Sequence, residues 1–206
     1  MRASLVMLVL IAACNRPSAS PASPPAPCAL PALDGTGQAM LSPVRIDVMQ
    51  PETLVARVGV APDAVVADIG AGPGAFTHLF ARAAKQGKVI ATDLKDDYLA
   101  RIELDARARG ETNIEVRRVE PEETGLAAGE VDVAFLCQVD HYLRDRRAYL
   151  GKLALSLKPN GRIVIVNYLR ERDAIDKLAA ELHFREVDRW EPVAGFFARS
   201  YSISHP

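Results

Sequence analysis

From residue 51 onward the apolar and polar positions switch repeatedly between two periods. Residues 51–58 have helical spacing, with Pro51 in the first turn. Residues 65–68 are a short apolar run that stops at an acid and predict a strand. A helix is expected over 75–84, broken by Gln86-Gly87, and a second strand over 88–92, ending in Asp93. Residues 96–109 predict a helix capped near Asp96 and stopped by Gly110. A third strand is expected over 113–119 and, after a polar, glycine-containing loop, a predominantly apolar fourth over 131–137. Residues 146–157 predict a helix stopped by Lys158-Pro159-Asn160-Gly161, followed by a fifth strand over 162–168 and a helix over 174–182. Two last strands, 184–193 and 196–203, flank Ala194-Gly195. Strands alternating with helices imply a parallel sheet covered on both faces. Two strands joined by a short glycine-containing turn can pair only antiparallel. The expected fold is therefore α/β, a doubly wound, mostly parallel seven-stranded sheet that ends in an antiparallel hairpin strand.

The first 50 residues lack this alternation. Arg2 precedes a short apolar run, 5–13, too brief to span a bilayer as a stable helix. The run ends Ile11-Ala12-Ala13-Cys14, which resembles the lipobox of bacterial lipoprotein precursors. That resemblance implies cleavage, acylation of Cys14, and an exported protein held at a membrane in the periplasm or on the cell surface. If the segment is not a signal, the protein is cytoplasmic. A stretch dominated by Pro, Ala and Ser follows and reads as a disordered, partly polyproline II tether. Three segments are thus expected: a signal peptide over 1–14, a tether over 15–43 and one folded domain over 44–206.

At the first strand the chain reads Asp68-Ile69-Gly70-Ala71-Gly72-Pro73-Gly74-Ala75. Glycines allow a sharp turn and close approach of backbone to a ligand. The helix behind them directs unpaired N–H groups at that ligand. Gly70, Gly72 and Ala75 satisfy the dinucleotide pattern, whereas Asp68 with Gly70, Gly72 and Gly74 fits Asp-x-Gly-x-Gly-x-Gly. A carboxylate beside the turn suits a cofactor with an ammonium group and repels a pyrophosphate, so Asp68 favours the second reading. In a doubly wound sheet the ligand lies beyond the carboxyl ends of the strands. Asp93, after the second strand, can accept ribose hydroxyls. Glu120 follows the third. After the fourth comes Cys137-Gln138-Val139-Asp140-His141-Tyr142, where His141 can orient an acceptor or remove its proton.

With these residues in place, about 45–203 resembles a class I S-adenosylmethionine-dependent methyltransferase, with a Rossmann-like sheet. Leu157-Lys158-Pro159-Asn160-Gly161 is similar to the turn that precedes the family's fifth strand. The resemblance implies S-adenosylmethionine as cofactor, bound by Asp68, Gly70, Ala71, Gly72, Gly74, Asp93, Leu94, Glu120 and Gln138. It places His141 and Asp140 at the reacting acceptor, and Arg45-Ile46-Asp47 in a lid. Two competing readings stay open: a module that binds the cofactor without catalysis, and an NAD-dependent oxidoreductase.

Composition narrows the partners. Net charge is −1, without the basic surplus that nucleic acid binding requires, and the arginines of 101–118 are interleaved with acids. The loop after the fourth strand lacks the Asn/Asp-Pro-Pro-Tyr run of enzymes that methylate DNA bases or glutamine. A small-molecule acceptor is expected, with no nucleic acid. The three cysteines, Cys14, Cys28 and Cys137, have no metal-ligand spacing and give no disulfide framework.

Overall fold

Strands β1 (Val65–Ile69), β2 (Lys88–Asp93), β3 (Ile114–Arg118), β4 (Val131–Cys137), β5 (Leu157–Tyr168), β6 (Arg185–Trp190) and β7 (Phe196–Ser202) form one sheet. Their order is β3-β2-β1-β4-β5-β7-β6, parallel throughout except that β7 runs antiparallel to both β5 and β6. This is the expected architecture. The computed structural model describes residues 32–203. The expected signal segment, Cys14, Cys28 and the first part of the tether lie outside the described residues.

The helices are α1 (Gly35–Met40), α2 (Pro43–Met49), α3 (Pro51–Val58), α4 (Thr77–Ala83), α5 (Asp96–Arg109), α6 (Arg146–Leu155) and α7 (Arg172–Glu181). Successive residues of the central strands point to opposite faces, and both faces are covered, so the central segments 65–69, 89–91, 133–137 and 163–166 are apolar except for Asp68. On one face Val66, Val89, Val133, Phe135 and Val164 pack against α3 and α4, with α5 beside them on Ala91. On the other, Ala67, Ile90, Leu136, Ile163 and Ile165 meet Tyr149, Leu150 and Leu153 of α6 and Ile175 of α7. Phe80 and Phe135 meet edge to face with centroids 5.0 Å apart, both fully buried. Truncating either to Ala would cost about 3–5 kcal/mol.

Three boundaries differ from the sequence reading. The tether was expected to run to 43 and the domain to begin at 44, yet α1 lies inside that span. Gly37 packs so closely on Tyr98 that a Cβ would come within 2.7 Å of the ring. Asp34 caps α1 through Gly37 N–H at 2.7 Å and pairs with Lys95 and Tyr98. These long-range contacts, absent from the local pattern, hold a sequence of poor intrinsic helicity. The folded part therefore starts by Leu33, which is 9% exposed. Second, α6 stops at Leu155, and 157–161 opens β5 through a register shift between Val131 and Val133. Lys158 pairs there with Asp132 at 2.7 Å, and Asn160 takes the left-handed conformation at φ 67°. Third, α5 is not capped by Asp96. Its cap position is Lys95, whose N–H donates to Asp93 Oδ1 at 3.0 Å.

Candidate functional site

The chain order reverses between β1 and β4. It runs outward through β2 and β3, then returns to lay β4 on the other side of β1. A crevice opens at the carboxyl ends of those two strands, and the Gly-rich turn after β1 forms one wall. Its three glycines all have positive φ: Gly70 63°, Gly72 56° and Gly74 93°. They serve three different neighbours. A Cβ on Gly70 would stand 2.7 Å from Val139 in the loop after β4, one on Gly72 2.9 Å from Met40 Sδ, and one on Gly74 2.8 Å from Ile102 in α5. The turn is squeezed between the β4 loop, α1 and α5.

Two carboxylates shape it. Asp93, at the end of β2, accepts Gly72 N–H on Oδ2 at 2.8 Å and Lys95 N–H on Oδ1 at 3.0 Å. Each oxygen keeps a further lone pair for a ligand. Asp68 is buried beneath the turn and accepts the Thr77 hydroxyl at 2.6 Å. Burial pushes its carboxyl up to about 7, against the pull of Thr77 and with a further push from the Asp93 charge.

The opposite wall is the end of β4 and β5. Gln138 adopts φ 58° and donates its N–H to Val166 O at 2.8 Å. A short 3₁₀ turn, Asp140–Tyr142, follows. Asp140 is fully buried, and burial raises its carboxyl above the usual range. Asn167 ties this turn to β5. Its Oδ1 accepts Tyr168 N–H at 2.8 Å, which fixes the amide orientation. Its Nδ2 donates to Asp140 Oδ1 at 2.6 Å and lies 3.1 Å from His141 Nδ1. An NH2 group facing Nδ1 makes that nitrogen the acceptor, so His141 carries its proton on Nε2. Cys137 also reaches the site, but burial pushes its thiol up to about 12 and it stays protonated.

Between these walls lies a cavity of about 640 Å³. Of the residues expected from sequence, Gly70, Asp93, Leu94, Glu120, Gln138 and His141 line it. Asp68, Ala71, Gly72, Gly74 and Asp140 do not; they hold the walls from behind. The sequence reading missed Thr36, Ala39 and Met40 of α1, Tyr98, Tyr149, Tyr168, and Asn167 behind His141. Asn167 and Tyr168 end β5, and the same strand-end rule that singled out Asp93 and Gln138 applies to them. Arg45, expected in a lid, lines the cavity from α2 and is close enough to draw down the Cys137 thiol.

Comparison with known proteins agrees with this geometry. Residues 67–163 match a family described as a methyltransferase domain. A methyltransferase from Aquifex aeolicus, titled as dependent on S-adenosylmethionine, shares 19% identity and superposes with a TM-score of 0.75 over 81% of this chain and 96% of its own. The PH0226 protein of Pyrococcus horikoshii shares 14% identity with a TM-score of 0.67, over 80% and 93%. SpnF, titled a [4+2]-cyclase, shares 18% identity with a TM-score of 0.60, over 69% and 58%. No curated protein matches the chain. The domain match covers residues 67–163, and the solved structures share the fold; the cofactor they point to is S-adenosylmethionine. The cavity fits that molecule: its volume is in the range of small-molecule sites, and Thr92 Oγ1 and Gln138 Oε1 are buried at its wall without partners. SpnF bears the name of another reaction on the same fold, so the fold by itself does not fix the chemistry of the site.

Proposed function

We propose that this protein methylates a small, flat acceptor seated against His141. The observation that carries the reading is the aromatic wall at the cavity mouth. The rings of His141 and Tyr142 lie 4.1 Å apart, His141 and Tyr168 5.8 Å, and Tyr142 is 81% exposed. Such rings offer stacking surface at low entropic cost. When bound, S-adenosylmethionine supplies an electrophilic methyl group on a sulfonium. Asp93 would hold its ribose hydroxyls through the lone pairs that Gly72 and Lys95 leave free. Arg45 would meet its carboxylate, and Gly70 would allow close approach of the turn. His141 offers an Nε2–H and orients the acceptor as a hydrogen-bond donor while the nucleophile keeps a lone pair for attack, and the acceptor's own proton leaves to water at the open mouth. Asp140 and Asn167 act through His141. In-line alignment by these walls supplies several kcal/mol of the barrier.

Calorimetric titration with S-adenosylmethionine and its demethylated product tests the binding part, with Asp93→Ala expected to weaken both by about 1–3 kcal/mol. A radiolabelled-methyl screen of phenols, catechols and heteroaromatic amines then tests the acceptor. Tight binding without transfer to any acceptor would favour a non-catalytic binding module.

We also propose that the protein is exported and anchored through an acylated Cys14. The support is the lipobox-like run Ile11-Ala12-Ala13-Cys14. Cys14→Ser should shift the protein from the membrane fraction to the soluble one; unchanged partition would refute the anchor.

A further inference from the structure

A second cavity, of about 250 Å³, shares no lining residue with the first. It lies between the carboxyl end of α3 and the row Val164–Ser200–Asp188 that crosses β5, β7 and β6. Arg162 reaches into it. Its Nη2 donates to Val58 O at 2.6 Å and Gly59 O at 2.9 Å, carbonyls that the end of α3 leaves unpaired. Among the described residues its Nη1 and Nε have no partner, and no carboxylate forms an ion pair with it. Arg57 lies beside it, 5.3 Å from the Trp190 ring, and its charge is matched by Asp188 at 2.8 Å. Two more donors line the same space. Ser200 is 4% exposed, and its hydroxyl and the Trp190 indole N–H are buried without partners.

The cavity therefore holds an excess of donors and one unmatched positive charge. Buried donors of this kind need an acceptor. Water could accept from Ser200 and Trp190 but would leave the half-buried guanidinium uncompensated. An oxyanion does both, and the free edge of a guanidinium matches the paired oxygens of a carboxylate or phosphate. We infer that this groove is a binding site for a small oxyanion, separate from the methyl-transfer site, held by Arg162, Ser200 and Trp190.

Trp190 is the only tryptophan of the chain, so its emission reports on this groove. The test is a fluorescence titration of the full-length protein with inorganic phosphate and, separately, with acetate, each at constant ionic strength balanced by chloride. A saturable change with either anion supports the site, and the anion that saturates assigns the ligand as phosphate-like or carboxylate-like. Arg162→Gln should weaken the response at least tenfold and Ser200→Ala several-fold, while calorimetric affinity for S-adenosylmethionine stays within twofold in both. Arg162 also caps α3, so Arg162→Lys, which keeps the charge but loses the fork, should give an intermediate affinity with an intact fold. A linear response to both anions in the wild type, or equal saturation in the Arg162→Gln and Ser200→Ala variants, overturns the proposal. Failure of S-adenosylmethionine to bind would refute the first site and leave this one standing.

Discussion

Asn167 decides which ring nitrogen His141 offers to the cavity. Its amide is held by Tyr168 N–H and by Asp140 Oδ1, so only its NH2 can face His141 Nδ1. Nitrogen-15 NMR of the histidine rings should show His141 in the Nε2–H form. Asn167→Ala should release it to a mixture of tautomers and lower methyl transfer roughly tenfold, less than the loss of a positioned acid–base group itself. An unchanged tautomer in the variant would remove Asn167 from this role. Asp68 makes a different prediction, about stability. Its folded carboxyl stands at about 7 against an ordinary value of 3.8, because it is buried. Between about pH 4 and 7 the unfolded chain releases this proton and the folded chain keeps it. Stability from this group therefore falls as pH rises through that window and is flat above it. At about 1.4 kcal/mol per unit, Asp68→Asn should gain on the order of 2 kcal/mol relative to wild type between pH 5 and 7.5. Urea midpoints at the two pH values measure it, and parallel pH dependence of the two proteins would contradict it.

At the scale of elements, the turn from β1 to α4 is one motif with three separable duties. Gly74→Ala forces a Cβ against Ile102, which is fully buried, and against His78 at 3.1 Å, all at φ 93°. It should cost about 2–4 kcal/mol of stability. Gly72→Ala meets only the flexible end of Met40 and should cost about 1 kcal/mol, mostly backbone strain. Gly70→Ala meets Val139 at the cavity wall and should lose cofactor affinity more than stability. Thermal unfolding beside calorimetric titration ranks the three; equal losses would mean that the turn acts as one undivided unit. This motif was legible in the sequence because spacing alone encodes it. So were α3, α5 and β4, whose periodicity and glycine stops are local: α3 spans Pro51–Val58, α5 ends at Gly110 in the left-handed conformation, and β4 spans Val131–Cys137. What was not legible depends on partners distant in sequence. Helix α1 carries no apolar stripe and is held by Lys95 and Tyr98, some 60 residues away. The opening of β5 reads as a helix stop because its strand character comes from pairing Leu157 with Val131. Asn167 reads as one more polar residue until β5 brings it to the turn after β4.

For the whole molecule, these differences concern how the sheet and its amino-terminal helices divide the work. The sheet with α3, α4, α6 and α7 buries the two large apolar clusters, and Met49 is the one buried contribution of α1 and α2 to them. Those two helices instead roof the cavity with Thr36, Ala39, Met40 and Arg45. They have six and seven residues, too short to be stable in isolation, and depend on caps and on contacts with α5. Asp34 and Ser42 cap them, and the Lys95 ammonium beside Asp34 holds its carboxyl well below the usual range. A cofactor that bridges Arg45 and the glycine turn would add to those contacts. Amide exchange over 35–49 should therefore slow when S-adenosylmethionine binds, while the already protected strands β1, β4 and β5 change little. Deleting residues 1–50 should keep cooperative unfolding, with a loss of about 2–4 kcal/mol from Met49, and weaken cofactor binding more than tenfold. Arg45→Gln separates the two effects, since it leaves Met49 in place and removes only the charge at the cavity. If the deletion and Arg45→Gln both bind the cofactor as tightly as the intact chain, α1 and α2 are only a cover for the sheet and the binding energy lies wholly in the strand ends.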